Sequence, residues 1–503
     1  MANPLFDALI GGKPADRPFL TLPEGGTLTY GDIDRLSARL ANLLVAEGVA
    51  PGDRVAVQVE KSPQAFALYL ACLRAGAAFL PLNTAYTAKE IAYFIGDAEP
   101  AMVVVDPARA AQSDAFLADA KTPPKVLTLA GDGTGSLIDG AAGQPDAQTP
   151  VARAADDLAA ILYTSGTTGR SKGAMLTQAN LLSNAQVLAE VWRFSDTDIL
   201  LHALPIYHTH GLFVAANVVM LTGGQMIWLA KFDADQVMHW LPKTTTMMGV
   251  PTYYTRLLDR AEFDAGMVRG MRLFTSGSAP LLAETHRQFE DRTGHRILER
   301  YGMTETGMNT SNPYEGERRA GTVGPALPGV EVRITDGDKI LPPLEVGMIE
   351  VRGPNVFKGY WRMPGKTAEE LSEDGWFTTG DLGVIDADGY VSIVGRSKDL
   401  IISGGINIYP KEVELVIDAL PDVRESAVIG VPHPDFGEGV IAIVVAEPGS
   451  HPQPEAILAA LSGQLARFKQ PKAVFLADEL PRNTMGKVQK AVLRNRYADL
   501  FRR

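Results

Sequence analysis

The sequence predicts an α/β protein: a large multi-subdomain N-terminal domain of α/β units with a small β-rich subdomain, then a small α+β C-terminal domain. Three observations carry this. Strand-like and helix-like segments alternate through the first third. Short strands and turns replace them from about 320 to 395, and an α+β pattern restarts over the last hundred residues. Residues 54–59 read as a strand, 63–74 as a helix, 77–82 as a short strand, 88–95 as a helix and 101–106 as a strand. That rhythm implies βαβ units, hence a largely parallel sheet covered by helices. Residues 130–155, rich in Gly, Ala, Asp and Pro, read as a loop. Within them Gly131-Asp-Gly-Thr-Gly135 lacks the spacing of a dinucleotide fingerprint and is expected to open no helix. A second α/β unit is expected from about 157 to 310. The β-rich part has strands at 329–334, 347–352 and 389–394. The last region has a helix at 410–420, strands at 425–431 and 439–446, and a helix from Glu455.

The chain has 503 residues and a formal net charge of −12, from 47 Lys and Arg against 59 Asp and Glu. This argues against a nucleic-acid binder or an anionic-membrane binder, since both need a broad basic surface. Cys72 is the only cysteine, so no intrachain disulfide or cysteine zinc site can form. Its Ala/Leu-rich surroundings make it a small core residue. The first residues show no basic region followed by an apolar run, so no signal peptide is expected. The greasy stretch 212–229 is broken by Asn217 and by Thr222-Gly-Gly224, short of the ~20 apolar residues of a membrane span. The expectation is a soluble, cytoplasmic enzyme with no nucleic-acid or membrane partner. From Arg467 onward, ten basic residues face three acidic ones. Most are expected to be solvated, and together they could steer a polyanionic substrate.

The most informative segment is Tyr163-Thr-Ser-Gly-Thr-Thr-Gly-Arg-Ser-Lys-Gly173, which follows an apolar run. A strand entering a loop of glycines and hydroxyls suits phosphate: glycine lets backbone N–H groups approach, and Ser and Thr add donors. It is not a Walker loop, because Ser171 occupies the place of the second glycine before Lys172.

This loop resembles the signature of the adenylate-forming enzymes: acyl-CoA synthetases, luciferases and the adenylation domains of peptide synthetases. Six further segments of that family follow in order: Leu204-Pro-Ile-Tyr-His208, Thr275-Ser-Gly-Ser-Ala279, Glu299-Arg-Tyr-Gly-Met-Thr-Glu305, Gly375-Trp-Phe-Thr-Thr-Gly-Asp381, Gly395-Arg-Ser-Lys-Asp-Leu-Ile401 and Pro481-Arg-Asn-Thr-Met-Gly-Lys487. Ser171 departs from the proline usual there. The resemblance implies that a carboxylate attacks the α-phosphate of ATP and that the thiol of CoA then displaces AMP. It implies ATP contacts at Thr164, Ser165, Gly166, Thr167, Thr168, Gly169 and Lys172, and at Ser278, Tyr301 and Gly302. Asp381 and Arg396 are implied to hold the ribose. Thr304 and Glu305 are the implied phosphate and Mg²⁺ residues, and a hard cation does take oxygen ligands. Lys487 is the implied catalytic lysine. The domains implied are 1–395 and a mobile 396–503, with the hinge at Lys398 and Gly404 and Gly405 beside the CoA channel. Reversible acetylation of Lys487, by a lysine acetyltransferase and deacetylase, is implied as a switch that removes its charge.

Within this family the chain is most similar to malonyl-CoA synthetases, through Tyr207-His-Thr-His-Gly-Leu212, Gly249-Val-Pro-Thr-Tyr-Tyr-Thr-Arg256, residues 301–310 and residues 315–323. Malonate brings a second carboxylate, which must not be buried unpaired. Arg256 is the natural anchor, since a guanidinium grips a carboxylate bidentately. His208 and Ser278 would complete the site, and Thr209 and Met308 would limit an α-substituent, leaving methylmalonate open. Two other readings stay open. Arg256 could pair with Asp259 at i+3, in a helix capped by Thr252. The acid could instead be another short-chain or an aromatic one. His208 and His210 lack further metal ligands nearby in sequence, and Asp435-Phe-Gly437 lacks the other kinase signatures.

Overall fold

The computed structural model describes residues 2–118, 120–164, 171–403, 406–462, 464–483 and 486–501. Parallel strands Arg54–Gln58, Ala78–Pro81 and Met102–Val105 form where the alternation predicts them. They belong to a six-stranded sheet in the order Lys125–Thr128, Met102–Val105, Arg54–Gln58, Ala78–Pro81, Leu158–Thr164 and Lys172–Thr177. The last strand alone runs antiparallel to its neighbour.

This corrects the predicted start of the second unit at 157, because Leu158–Thr164 pairs with Ala78–Pro81 in the first sheet. The eight-stranded second sheet instead reaches back to the N-terminus. Its order is Gly307–Ser311, Leu298–Met303, Leu273–Ser276, Thr246–Gly249, Ile199–His202, Gln225–Trp228, Pro18–Thr21 and Thr27–Thr29. Alternation of apolar residues shows which face a strand buries; it does not name the neighbour.

Helix Pro63–Ala75 lies between the two sheets and is apolar all round, as an enclosed helix must be. Ser62 caps its N-terminus through a 3.1 Å bond from the Ala65 N–H, and Gly76 ends it at φ 76°. Phe66 meets Trp228 of the second sheet at 5.4 Å, and Tyr69 meets Phe79 of the first at 5.4 Å. Cys72 is fully buried there, as expected. In the predicted loop 130–155 a helix, Ser136–Ala141, does begin, with Gly135 before it at φ 136°. The expectation of no helix fails because this left-handed glycine lets the chain turn straight into one.

The stretch 212–229 becomes a π-helix, His210–Ala216, continued by helix Asn217–Thr222 and strand Gln225–Trp228. Among the described residues no helix is long and apolar enough to cross a membrane. The β-rich part is an antiparallel five-stranded sheet in the order Lys339–Ile340, Glu331–Asp336, Gly347–Arg352, Phe377–Ile385 and Val391–Arg396. The final sheet pairs Ile406–Ile408, Ile401–Ser403, Gly437–Ala446 and Val423–His433, with Ala473–Ala477 alongside Gly437–Ala446. Helix Pro410–Asp418 packs on it.

Candidate active site

Asp381 is buried and held from two sides. The Tyr301 hydroxyl donates to Oδ2 at 2.6 Å, and Arg396 Nε reaches Oδ1 at 2.6 Å. The register Asp381↔Arg396 places the two directly opposite on adjacent strands. Burial, reinforced by the Asp381 charge, keeps the Tyr301 phenol protonated well above its ordinary range.

Lys487 belongs to the last unit and comes to the same place. It keeps an exposed side, yet the surrounding protein pushes its ammonium down to about 8; Arg396 and Lys398 also lower it and Asp381 opposes them. Its backbone N–H donates to Asn483 Oδ1 at 2.9 Å. The preceding residue, Gly486, has φ 73°, and a Cβ there would lie 3.1 Å from Thr252 Oγ1. Thr252 therefore faces the lysine loop. It does not cap its helix, Pro251–Leu258, whose N-cap is Val250 without a side-chain bond.

Arg256 lies in the last turn of that helix and is exposed. The alternative ion pair with Asp259 is not formed, because Asp259 Oδ2 binds Arg424 Nη2 at 3.0 Å. The basic C-terminal stretch is less solvated than expected. Arg482 pairs with Glu425, Lys490 with Glu414 at 2.5 Å, Lys469 with Glu412 at 2.5 Å and Arg494 with Asp399 at 2.6 Å.

Thr304 and Glu305 sit in the turn between strands Leu298–Met303 and Gly307–Ser311. Glu305 is buried, which raises its pKa. Its Oε1 accepts from Thr164 Oγ1 at 3.2 Å and lies 3.1 Å from Tyr360 Oη. Behind it Lys172 Nζ donates to Tyr360 Oη at 3.1 Å and to both Glu370 oxygens at 3.0 Å. Lys172 is thus a buried, ion-paired residue that braces Glu305 through Tyr360. Tyr360 and Glu370 escape sequence reasoning because they lie 188 and 198 positions from Lys172. Ser165, Gly166, Thr167, Thr168 and Gly169 lie outside the described residues, as do Gly404 and Gly405.

On the acid side, His208, Thr209 and His210 enter the π-helix, an element often found at functional sites. Burial, with Arg300 and Lys487 nearby, pushes His208 down to about 4, so its ring is neutral at pH 7. His210 Nδ1 lies 3.2 Å from Ser278 Oγ, and Ser278 holds a left-handed backbone at φ 70°. Thr209 and Thr304 line one small cavity with Asn184 and Asn355. Gly302 must be glycine: a Cβ there would lie 2.0 Å from the Gly307 carbonyl and 2.5 Å from Met308 Cε. Sequence reasoning also misses Arg300, whose guanidinium is buried beside Gly277. Its signal is a lone cation inside an otherwise inward-facing strand.

Residues 6–361 match the AMP-binding enzyme model, and residues 412–487 match the AMP-binding enzyme C-terminal domain. The chain belongs to the AMP-binding enzyme family. The family's curated members include a feruloyl-CoA synthase of an Amycolatopsis species, 38% identical over 94% of this chain and 95% of its own length. A malonate–CoA ligase of Arabidopsis thaliana is 32% identical over 94% of this chain and 85% of its own. The solved ATP-bound MatB from Rhodopseudomonas palustris is 56% identical, covers both chains fully and superposes with TM-score 0.96, against 0.85 for apo MatB.

Proposed function

We propose that the chain is a malonyl-CoA synthetase that joins malonate to CoA and converts ATP to AMP and pyrophosphate. One observation carries the reading: the Lys487 ammonium is within electrostatic reach of Asp381, Arg396 and His208, and Arg300, which acts on the same His208, has two guanidinium nitrogens without a hydrogen-bond partner among the described residues. The 56% identity to MatB supports it.

In the first step a malonate oxygen attacks the α-phosphorus, the bond to the bridging oxygen breaks and pyrophosphate leaves. Lys487 bridges the attacking carboxylate and the α-phosphate, where a positioned ammonium offsets gathering negative charge. With its pKa at about 8, it is still mostly protonated at pH 7. Asp381 accepts from the ribose hydroxyls and is held by Arg396 and Tyr301. Ser278, Tyr301 and Gly302 bound the adenylate. The loop from Thr164 through Ser165, Gly166, Thr167, Thr168 and Gly169 to Lys172 encloses the phosphates, and Thr304 donates to them. The oxygen donors of Glu305, Thr304 and Thr164 fit a hard cation such as Mg²⁺, which takes one or two carboxylates besides phosphate oxygens. When bound, it would neutralise phosphate charge.

In the second step the CoA thiol, having lost its proton, attacks the acyl carbon and AMP leaves. We assign residues 1–395 and 396–503 to two domains that turn about Lys398, with Gly404 and Gly405 lining the CoA channel. Arg256 and His208 receive the acid, while Thr209 and Met308 limit its substituents. Acetylation of Lys487 would remove the ammonium and stop the first step; mass spectrometry with deacetylase treatment tests this. We place the activity in the cytoplasm.

The deciding experiment measures AMP and acyl-CoA formation from ATP, Mg²⁺ and CoA with malonate, methylmalonate, succinate, acetate, butyrate and benzoate. Malonate is expected to lead. The second reading, a ligase for another short-chain or aromatic acid, is favoured by the 38% identity to feruloyl-CoA synthase. Preference for a monocarboxylate would establish it in place of the first.

A further inference from the structure

Lys487 carries its ammonium on a flexible four-carbon stem, and the backbone that roots the stem is held from both sides. The peptide joining Gly486 to Lys487 is gripped at each end. Arg482 Nη1 donates to the Gly486 carbonyl at 2.5 Å, and the Lys487 N–H donates to Asn483 Oδ1 at 2.9 Å. The Gly486 N–H closes onto the Asn483 carbonyl at 2.9 Å, and the Asn483 N–H onto the Lys487 carbonyl at 3.0 Å. Gly486 stands at φ 73°, and a glycine places little steric restraint on the peptide that follows it. Two adjacent side chains thus settle a peptide plane that the glycine alone would leave free to turn.

Arg482 is itself tethered. Its Nη2 donates to Glu425 Oε2, and both side chains are partly buried. Glu425 lies near the start of strand Val423–His433, next to Arg424, which bonds Asp259 of the large part of the chain at 3.0 Å. Neighbouring residues of a regular strand point to opposite faces. Here the register passes from Val423↔Ala446 to Glu425↔Val445, so the strand gains one residue at Arg424. Such a bulge re-aims side chains. It lets one short segment reach the large part through Arg424 and the lysine loop through Glu425.

We propose that Arg482, tethered by Glu425, is a positioning residue for adenylation: with Asn483 it clamps the Gly486–Lys487 peptide and so aims the Lys487 ammonium at the reacting groups. The inference rests on the adenylation role given to Lys487 above. A fixed charge lowers the barrier only where it is correctly placed, and a misplacement of about 1 Å can cost on the order of 10²-fold in rate. A guanidinium suits the task because its planar fork serves a carboxylate and a carbonyl at once, which a single ammonium does less well. Glu425, Arg482 and Asn483 all belong to the same part of the chain as Lys487. The clamp therefore travels with the lysine, unlike the Asp259–Arg424 pair, which spans the junction.

The test uses the full chain with Arg482→Gln, Arg482→Lys and Glu425→Gln, and with Arg482→Gln combined with Lys487→Ala. Acid-dependent pyrophosphate–ATP exchange reads adenylation, and single-turnover thiolysis of a preformed acyl-adenylate reads the second step. Arg482→Gln is expected to lower kcat for exchange about 10–100-fold, with KM for ATP and for the acid changed by no more than about twofold. Thiolysis should stay within about threefold of wild type, Arg482→Lys should recover part of the exchange, and Glu425→Gln should show a smaller loss of the same kind. The double variant decides. Where Lys487 is already alanine there is no ammonium to aim, so Arg482→Gln should cost no more than about a further twofold. A full further loss in that background, an equal loss in thiolysis, a change confined to KM, or an unaltered exchange rate would each overturn the proposal. If Lys487→Ala alone leaves exchange intact, the role of the lysine falls first and takes the clamp with it.

Discussion

Asp259 bonds Arg424 at 3.0 Å across the junction between the large and small parts of the chain, instead of Arg256 three residues before it. The pair frees Arg256 and sits beside the contact of Gly486 with Thr252. Both partners keep solvent exposure, so the clasp contributes modestly, about 0–1 kcal/mol. Asp259→Asn should slow acid-dependent pyrophosphate–ATP exchange by no more than about fivefold, with the difference fading at high salt. A loss of a hundredfold would mean that the pair does more than hold the docked arrangement.

Lys487→Ala should lose the adenylation half-reaction by about 10²–10³-fold, the scale of removing one preorganised donor. Thioester formation from a preformed acyl-adenylate should keep most of its rate. Pyrophosphate exchange and single-turnover thiolysis separate the two. Equal loss in both would remove Lys487 from its assigned role.

The same lysine sets a pH limb. Its folded pKa is lowered to about 8 and the reactive form is the ammonium, so kcat/KM for adenylation should fall as pH rises through about 8. Lys487→Arg, always charged, should remove that limb whatever its absolute rate. A pH–rate profile over pH 6–10 measures both.

Glu299 gives a stability prediction of opposite logic. Burial raises its carboxyl to about 8, opposed weakly by the Gly321 N–H at 3.2 Å and by Lys411. The folded form therefore holds a proton that the unfolded chain has lost. Its contribution is complete below pH ~4.5 and is lost as pH rises to about 8. Glu299→Gln should flatten the decline of Tm across that window; an unchanged slope would show that Glu299 is ionised in the folded state.

Gly302→Ala should cost about 1–3 kcal/mol or force the Thr304–Thr306 turn to shift, since its Cβ would strike the Gly307 backbone. Denaturant unfolding measures the loss. Full stability with altered acid preference would show that the turn yields cheaply.

Much of the fold was legible because local periodicity reports local structure. Strand Gly347–Arg352 matches its predicted bounds, and helix Pro63–Ala75 differs from its own by one residue. Illegible were the pairings between distant segments. Nothing near residue 157 tells that Leu158–Thr164 joins Ala78–Pro81, and nothing near Lys172 announces Glu370. Arg256 looked like the natural cation for a second carboxylate because its helix was visible. Arg300 was not noticed, since a strand position does not disclose whether a partner waits across the fold.

Residue types and their order were enough to carry the resemblance to the adenylate-forming enzymes, through which the acid after Thr-Thr-Gly and the lysine after Met-Gly acquire their expected roles. These are properties of short segments, and their reactivity follows from the side chains themselves. Which charges meet was decided by packing alone. Asp381 faces Arg396 because two strands share a register, Lys172 is neutralised by Glu370, and Arg300 is left bare beside Gly277. A charge owes its worth to the water it loses and the partner it gains, and both are set only when separate segments of the chain close around it.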